Sequence, residues 1–115
     1  MPGWFAGSYG YHGDDGNKFE GSLMGMGKPY SENYGKGDVV GCGWDIANDC
    51  IFFTKNGRYL GVAFEKASSV TKDSSFNAVV GSLSPGAVVK LNFGKHGENF
   101  LFDTRNYFYG LPPNN

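Results

Sequence analysis

Charge is scarce in this chain. Only 18% of its 115 residues are charged, and ten basic residues nearly cancel eleven acidic ones, leaving a formal net charge of −1. That balance offers no electrostatic footprint for a phosphate backbone or an anionic lipid surface, so neither nucleic acid nor membrane is an expected partner. Long apolar runs are lacking as well. None approaches the ~20 residues of a membrane-spanning helix, and Met1-Pro2-Gly3-Trp4 has neither the basic start nor the apolar stretch of a signal peptide. The chain therefore reads as soluble and intracellular, with the cytoplasm expected first and the nucleus second, and with secretion requiring a leader encoded upstream. Cysteine is limited to Cys42 and Cys50, outside any CxxC pair or Cys/His array of zinc-binding spacing. If the two lie on the arms of one hairpin turning near Ala47-Asn48, Cys42 faces a residue near Phe53 and Cys50 faces Asp45 or Ile46. That register keeps the thiols apart, and both are expected to be reduced core residues. Helical periodicity is also missing, since no window carries three turns of amphipathic helix, and no internal repeat is visible.

What is present favours strands. Aromatics reach 17%, with ten Phe, seven Tyr and two Trp, and there are nineteen Gly for tight turns. Tyr9 and Tyr11 share one face of a first strand, and Asp14-Asp15-Gly16-Asn17 reads as a turn. The segment from Glu20 to Lys36 is loop-like in composition. Val39 to Ile46 forms a strand with Val40, Cys42, Trp44 and Ile46 on one face, and the chain reverses at Ala47-Asn48-Asp49. Cys50 to Lys55 then runs into Asn56-Gly57 and out through Arg58 to Phe64. Asn-Gly between two such runs is the strongest short-range hairpin signal, because a type I′ turn needs positive φ at both central residues. Glu65 to Ser75 is a polar connection that looks mobile, with a short helical turn at its start. Phe76 to Val80, Ala87 to Phe93 and Phe100 to Phe102 are three more expected strands, with a turn at Ser84-Pro85-Gly86. The pattern predicts an all-β fold, an antiparallel β-sandwich of about five or six short strands.

The ordered string Pro2-Gly3-Trp4, Ser8-Tyr9-Gly10-Tyr11-His12-Gly13-Asp14-Asp15-Gly16 and Gly37-Asp38-Val39-Val40-Gly41-Cys42-Gly43 resembles the SPRY domain of the RanBPM-like proteins. Phe53-Thr54-Lys55-Asn56-Gly57, Leu60-Gly61-Val62-Ala63-Phe64, Val80-Gly81, Ser84-Pro85-Gly86 and Asn92-Phe93-Gly94 continue the likeness in order. The resemblance implies a SPRY/concanavalin-like sandwich over residues 1–103, followed by an aromatic and proline-rich tail over 104–115. Members of that family carry further strands before the Pro-Gly-Trp segment, so the sandwich is expected to be N-terminally shortened. An unpaired sheet edge would then invite self-association or a donated strand. Scaffolding members also carry LisH and CTLH helical segments, which this chain lacks.

The implied function is that of a non-catalytic module recognising a peptide or a folded partner through loops at one end of the sandwich. An adaptor or scaffold role in a ubiquitin ligase complex of the GID/CTLH type follows from the same resemblance. Candidate partner-binding residues are Tyr11, His12, Asp14, Asp15, Tyr30 and Asn56, on the Tyr11 to Gly16 turn, the Gly25 to Tyr34 loop and the Asn56-Gly57 tip. Each also has a structural reading: Tyr9 and Tyr11 as core residues, the two aspartates as caps of backbone N–H groups. His12 with Asp14 and Asp15 has the residue types of a metal or acid/base site, but no third distant ligand is identifiable. Gly25-Met26-Gly27-Lys28 lacks the Ser/Thr, strand and helix of a phosphate loop. No cofactor, metal or catalytic residue is expected. The alternatives are a secreted effector that binds host immune proteins, and a sandwich that binds carbohydrate or another small ligand through its aromatics.

Overall fold

A computed structural model describes residues 1–21, 26–70, 75–95 and 97–109, without the side chains of Val70 and Tyr109. Six strands form two antiparallel sheets of three. The first sheet holds β1 (Tyr9–Tyr11), β2 (Asn17–Glu20) and β3 (Lys28–Pro29), in that spatial order. The second holds β4 (Val40–Asp45), β5 (Cys50–Lys55) and β6 (Arg58–Phe64), again in sequence order. A 3₁₀ turn covers Ala67–Val70, where the sequence suggests a short helical turn, and one six-residue helix, α1, covers Thr104–Tyr109.

The two tight hairpins of the second sheet follow from local chemistry. Asn56 and Gly57 have φ of 50° and 83°, the pair of positive values a two-residue type I′ turn demands, and Lys55 faces Arg58 across it. At the other end, Asp45 faces Cys50 and Cys42 faces Phe53, as the sequence register requires. Asp49, with φ of 51°, closes that turn through its N–H to the Ile46 carbonyl. Neither cysteine is in a disulfide. Cys50 is buried, but Cys42 is exposed rather than in the core, although desolvation still pushes its thiol up to about 11. Ile46 likewise departs from expectation. Lying past the end of β4 in the turn, it is 71% exposed and does not continue the face of Val40 and Trp44.

The centre of the molecule is β5, five of whose six residues are buried. Because side chains alternate along a strand, its two faces build two different layers. Ile51 and Phe53 point toward the first sheet and form the core with Tyr11, Ala63, Phe64 and Ala67. Tyr9, Tyr30, Tyr34, Val40, Trp44 and Phe76 pack around that cluster. On the opposite face, Phe52 meets Tyr59, Phe102 and Tyr107 at ring-centroid distances of 5.4, 5.7 and 4.7 Å. The segment beyond residue 103, expected as a separate tail, thus lays its first helical turn against the sheet, with the Tyr107 hydroxyl 3.2 Å from Asp45 Oδ2. Gly43 leaves room for the Phe52 ring, which a Cβ at that position would strike.

Three expected strands are absent. Phe76 to Val80, Ala87 to Phe93 and Phe100 to Phe102 have strand composition but belong to neither sheet. Most of their apolar side chains are in solvent, with Val88 95% exposed and Leu91 55%, whereas Phe76 and Phe102 pack their rings on Trp44 and Phe52. The physical reason is that β-propensity expresses packing against neighbours, and among the described residues no strand lies beside these runs to supply it.

Candidate functional site: a rim of three tied loops

One end of the molecule gathers the Gly13 to Gly16 turn, the loop from Tyr30 to Asp38 and the Asn56-Gly57 tip. The first turn forms because the Gly16 N–H reaches the His12 carbonyl while Asp15 Oδ1 accepts from the Asn17 N–H at 2.9 Å. The second loop is held to the first by backbone bonds from Tyr30 N–H and Ser31 N–H to the Gly16 carbonyl and from Tyr34 N–H to the Gly13 carbonyl. Asn33 Nδ2 adds a bond to the Asp14 carbonyl at 2.8 Å. The hairpin tip joins through Lys55 Nζ to the Asn33 carbonyl at 2.9 Å and Asn56 Nδ2 to Asp38 Oδ1 at 3.0 Å. Asn56 also accepts the Val39 N–H on its Oδ1 at 2.9 Å. Glu32 receives the Arg58 guanidinium and, at 3.6 Å, the Lys55 ammonium.

Electrostatics follow from these bonds. The Asn56 side-chain amide holds the Asp38 carboxyl below the usual carboxylate range, helped by the Gly35 N–H. Asp14, Asp15, Glu32, Asn33, Asn56 and Arg58 are exposed, so the rim presents carboxylates, amides and one guanidinium on a scaffold whose backbone is already hydrogen-bonded. Loops fixed in this way bind with little ordering cost. Among the described residues no group of three or more His, Cys, Asp or Glu side chains is arranged to hold a metal ion. No helix is long and apolar enough to cross a membrane among those residues.

The six residues singled out in the sequence divide sharply. Asp14, Asp15 and Asn56 lie exposed on the rim. Tyr11 and His12 are buried, at 6% and 7% exposure, and their side chains are spent inside the domain. Tyr11 donates its hydroxyl to the Glu32 carbonyl and packs its ring on Tyr34 and Phe53 at 4.8 and 5.3 Å. His12 stacks on Phe19 at 3.8 Å and contacts the Pro2 carbonyl through Nε2 at 2.8 Å.

Tyr30 is half-buried and does something the sequence does not announce. The β5–β6 ladder is irregular between Phe52 and Thr54, and the Tyr30 hydroxyl fills the gap. It donates to the Gly61 carbonyl at 2.6 Å and accepts the Phe53 N–H at 3.3 Å. Burial pushes this phenol up to about 12. Gly25, at the start of the expected binding loop, lies outside the described residues. Sequence reasoning missed Glu32, Asn33, Lys55 and Arg58; the polar Ser31-Glu32-Asn33 between Tyr30 and Tyr34 was the available signal.

With the fold and rim in place, comparison with known proteins defines the class. The SPRY domain model matches residues 1–96, and the chain belongs to the SPRY domain family, whose members are protein-interaction modules. Its branch is RanBPM-like. The chain is 44% identical over 107 residues to Ran-binding protein 9 of both Danio rerio and Homo sapiens, which covers 93% of this chain but only 16% and 13% of those proteins. Ran-binding proteins 9/10 homolog of Drosophila melanogaster is 44% identical over 103 residues, 90% of this chain and 10% of its own length. The chain thus spans about a sixth or less of the curated relatives it matches.

Proposed function

We propose that this domain recognises a short segment of another protein through the rim formed by the Asp14-Asp15 turn, the 30–38 loop and the Asn56-Gly57 tip. The observation that carries the reading is the mutual tethering of those loops by backbone and side-chain hydrogen bonds, which fixes Asp14, Asp15, Glu32, Asn33, Asn56 and Arg58 on an exposed surface. The exposed aspartates favour a ligand with at least one basic residue or a row of N–H donors. Tyr11, His12 and Tyr30 support the surface from beneath. Membership of the SPRY family supports binding in place of catalysis. The likeness to Ran-binding protein 9 supports a place within a larger adaptor or scaffold, including one that serves a ubiquitin ligase.

Selection of peptides from a random displayed library on the immobilised chain tests the proposal. Selected peptides are expected to lose affinity when Asp14 is changed to Lys. Asp14→Lys suits the test because only the backbone carbonyl of Asp14 is engaged, by Asn33, whereas Asp15→Lys also removes the acceptor of the Asn17 N–H. Peptides that bind the Asp14→Lys and Arg58→Glu variants as tightly as the unaltered chain would place recognition elsewhere.

A further inference from the structure

The hairpin tip that joins the rim sets two like charges side by side. Lys55 lies directly opposite Arg58 across the Asn56-Gly57 turn, and a two-residue type I′ turn fixes that register. Like charges directly opposite one another weaken a strand pair. One carboxylate answers both. Glu32 Oε1 receives Arg58 Nη2 and stands 3.6 Å from Lys55 Nζ.

Glu32 reaches the tip because its own loop is fixed from below. The Tyr11 hydroxyl donates to the Glu32 carbonyl, and the Tyr34 hydroxyl, two residues along, donates back to the Tyr11 carbonyl at 2.5 Å. Tyr11 is a core residue, so this reciprocal pair of phenols holds residues 32–34 on the core. Between them Asn33 bonds the Asp14 carbonyl on one side and accepts Lys55 Nζ on the other. The Lys55 side chain is only 17% exposed and is spent on these contacts, whereas that of Arg58 is 64% exposed. Arg58 is therefore the cation of the tip that a ligand can reach, and Glu32 stands beside it.

The outcome is a rim with two poles. Asp14 and Asp15 put two negative charges on the first turn. Lys55 and Arg58 put two positive charges on the tip, and Glu32 offsets one of them. Over the whole rim, Asp14, Asp15, Glu32 and Asp38 stand against Lys36, Lys55 and Arg58, four acids to three bases, a formal charge of −1. Without the Glu32 charge the sum is zero and the two cations of the tip lose their counter-charge. Exposed ion pairs add little to stability. Charges on the rim of an interface act instead on which partners are admitted and how fast they arrive. A carboxylate fixed against the accessible cation of the tip repels an acidic ligand there, which leaves the aspartates of the first turn to attract a basic one.

We propose that Glu32 sets the charge preference of the rim, screening the pair of Lys55 and Arg58 from acidic segments so that the Asp14-Asp15 turn selects basic ones. The preference for basic peptides rests on the proposed rim; the screening of the cation pair does not. Glu32→Gln is expected to turn the preference toward acidic peptides. Glu32→Asp keeps the charge and is expected to retain the basic preference.

Inorganic phosphate titrated into the isotope-labelled chain probes the cation pair without any peptide. Amide shifts from Lys55 to Arg58 are expected to saturate at least about threefold more tightly in Glu32→Gln than in the unaltered chain. The urea midpoint is expected to stay unchanged, because the substitution keeps the backbone carbonyl that Tyr11 holds. Equal affinity for phosphate in the two chains would overturn the proposal. Parallel selections from one displayed peptide library on the unaltered chain and on Glu32→Gln then read the preference itself. Peptides from the first are expected to be richer in Lys and Arg, and those from the second in Asp and Glu. The same charge composition from both would overturn the proposal as well. Peptides that ignore Asp14→Lys, while phosphate still binds more tightly to Glu32→Gln, would count against the rim as the peptide site and for Glu32 as the screen of the cation pair.

Discussion

Residues 9–64 and residues 75–101 have similar aromatic and β-branched content, yet they end in opposite states. In the first region β5 is flanked on both sides by strands and covered on both faces, so Phe52 and Phe53 are buried at 3% and 7% exposure. In the second, Val79, Leu83, Val88 and Leu91 belong to no sheet and lie mostly in water. The lesson is that alternation marks a segment able to be a strand, while the presence of neighbours decides whether it is one. The side chains that join the two sheets carry the same lesson at finer grain. Tyr9 reaches the Ala67 carbonyl at 2.8 Å, Lys18 the Ala63 carbonyl at 2.7 Å and Tyr30 the Gly61 carbonyl at 2.6 Å. Each is a polar tip on an apolar or aromatic body that satisfies a backbone carbonyl, in β6 for Lys18 and Tyr30 and in the 3₁₀ turn for Tyr9.

The contrast is most easily broken in the core. Phe53→Ala is expected to cost about 3–5 kcal/mol, close to the whole stability of a marginal domain, as read from the denaturant midpoint in urea. An unchanged midpoint would mean that β5 is not the centre of the fold.

Tyr30→Phe keeps the ring and deletes the hydroxyl that bridges Phe53 and Gly61. The loss leaves both groups short of a partner and is expected to cost about 1–3 kcal/mol in the same experiment. Gly57→Ala is expected to cost about 1–2 kcal/mol, because Gly57 holds a φ of 83° in the hairpin turn. A Cβ there would also approach the Leu101 carbonyl oxygen to 2.9 Å.

Alkaline pH separates the two regions without mutation. Burial pushes the Tyr9 and Tyr30 phenols up to about 12, with the Glu20 and Asp49 charges adding to the effect at Tyr9. Because the folded values are raised, the contribution of these groups is fully present below pH ~10, the ordinary phenol value, and is lost as pH rises toward 12. Thermal melts are expected to fall over that window, and the fall is expected to be smaller in Tyr30→Phe. The smallest effect belongs to the exposed region. Val88→Ala is expected to stay within about 0.5 kcal/mol of the unaltered chain.

Legibility from sequence followed the range of the interaction. The Asn56-Gly57 hairpin and the pairing of Cys42 with Phe53 are set by residues adjacent in the chain, and both were readable. So was the turn of Asp14 to Asn17. The strands at 76–80 and 87–93 were misread because their outcome depends on distant partners. The rim was half legible. Asp14, Asp15 and Asn56 have turn chemistry that puts them on the surface, whereas Tyr11 and His12 stand next to that turn and point inward, a distinction that period-two alternation alone does not make. Tyr30 in the β5–β6 irregularity and Glu32 between Lys55 and Arg58 join residues more than twenty positions apart, and no local pattern reports them.

The most direct test of the recognition surface is a titration of a library-selected peptide into isotope-labelled chain, following backbone amide shifts residue by residue. The account predicts that the largest changes fall on Gly13 to Gly16, Ser31 to Asp38 and Asn56-Gly57, and that Asp14→Lys abolishes them. Changes centred instead on α1 or on the Phe52, Tyr59 and Phe102 layer, with the rim silent, would contradict it.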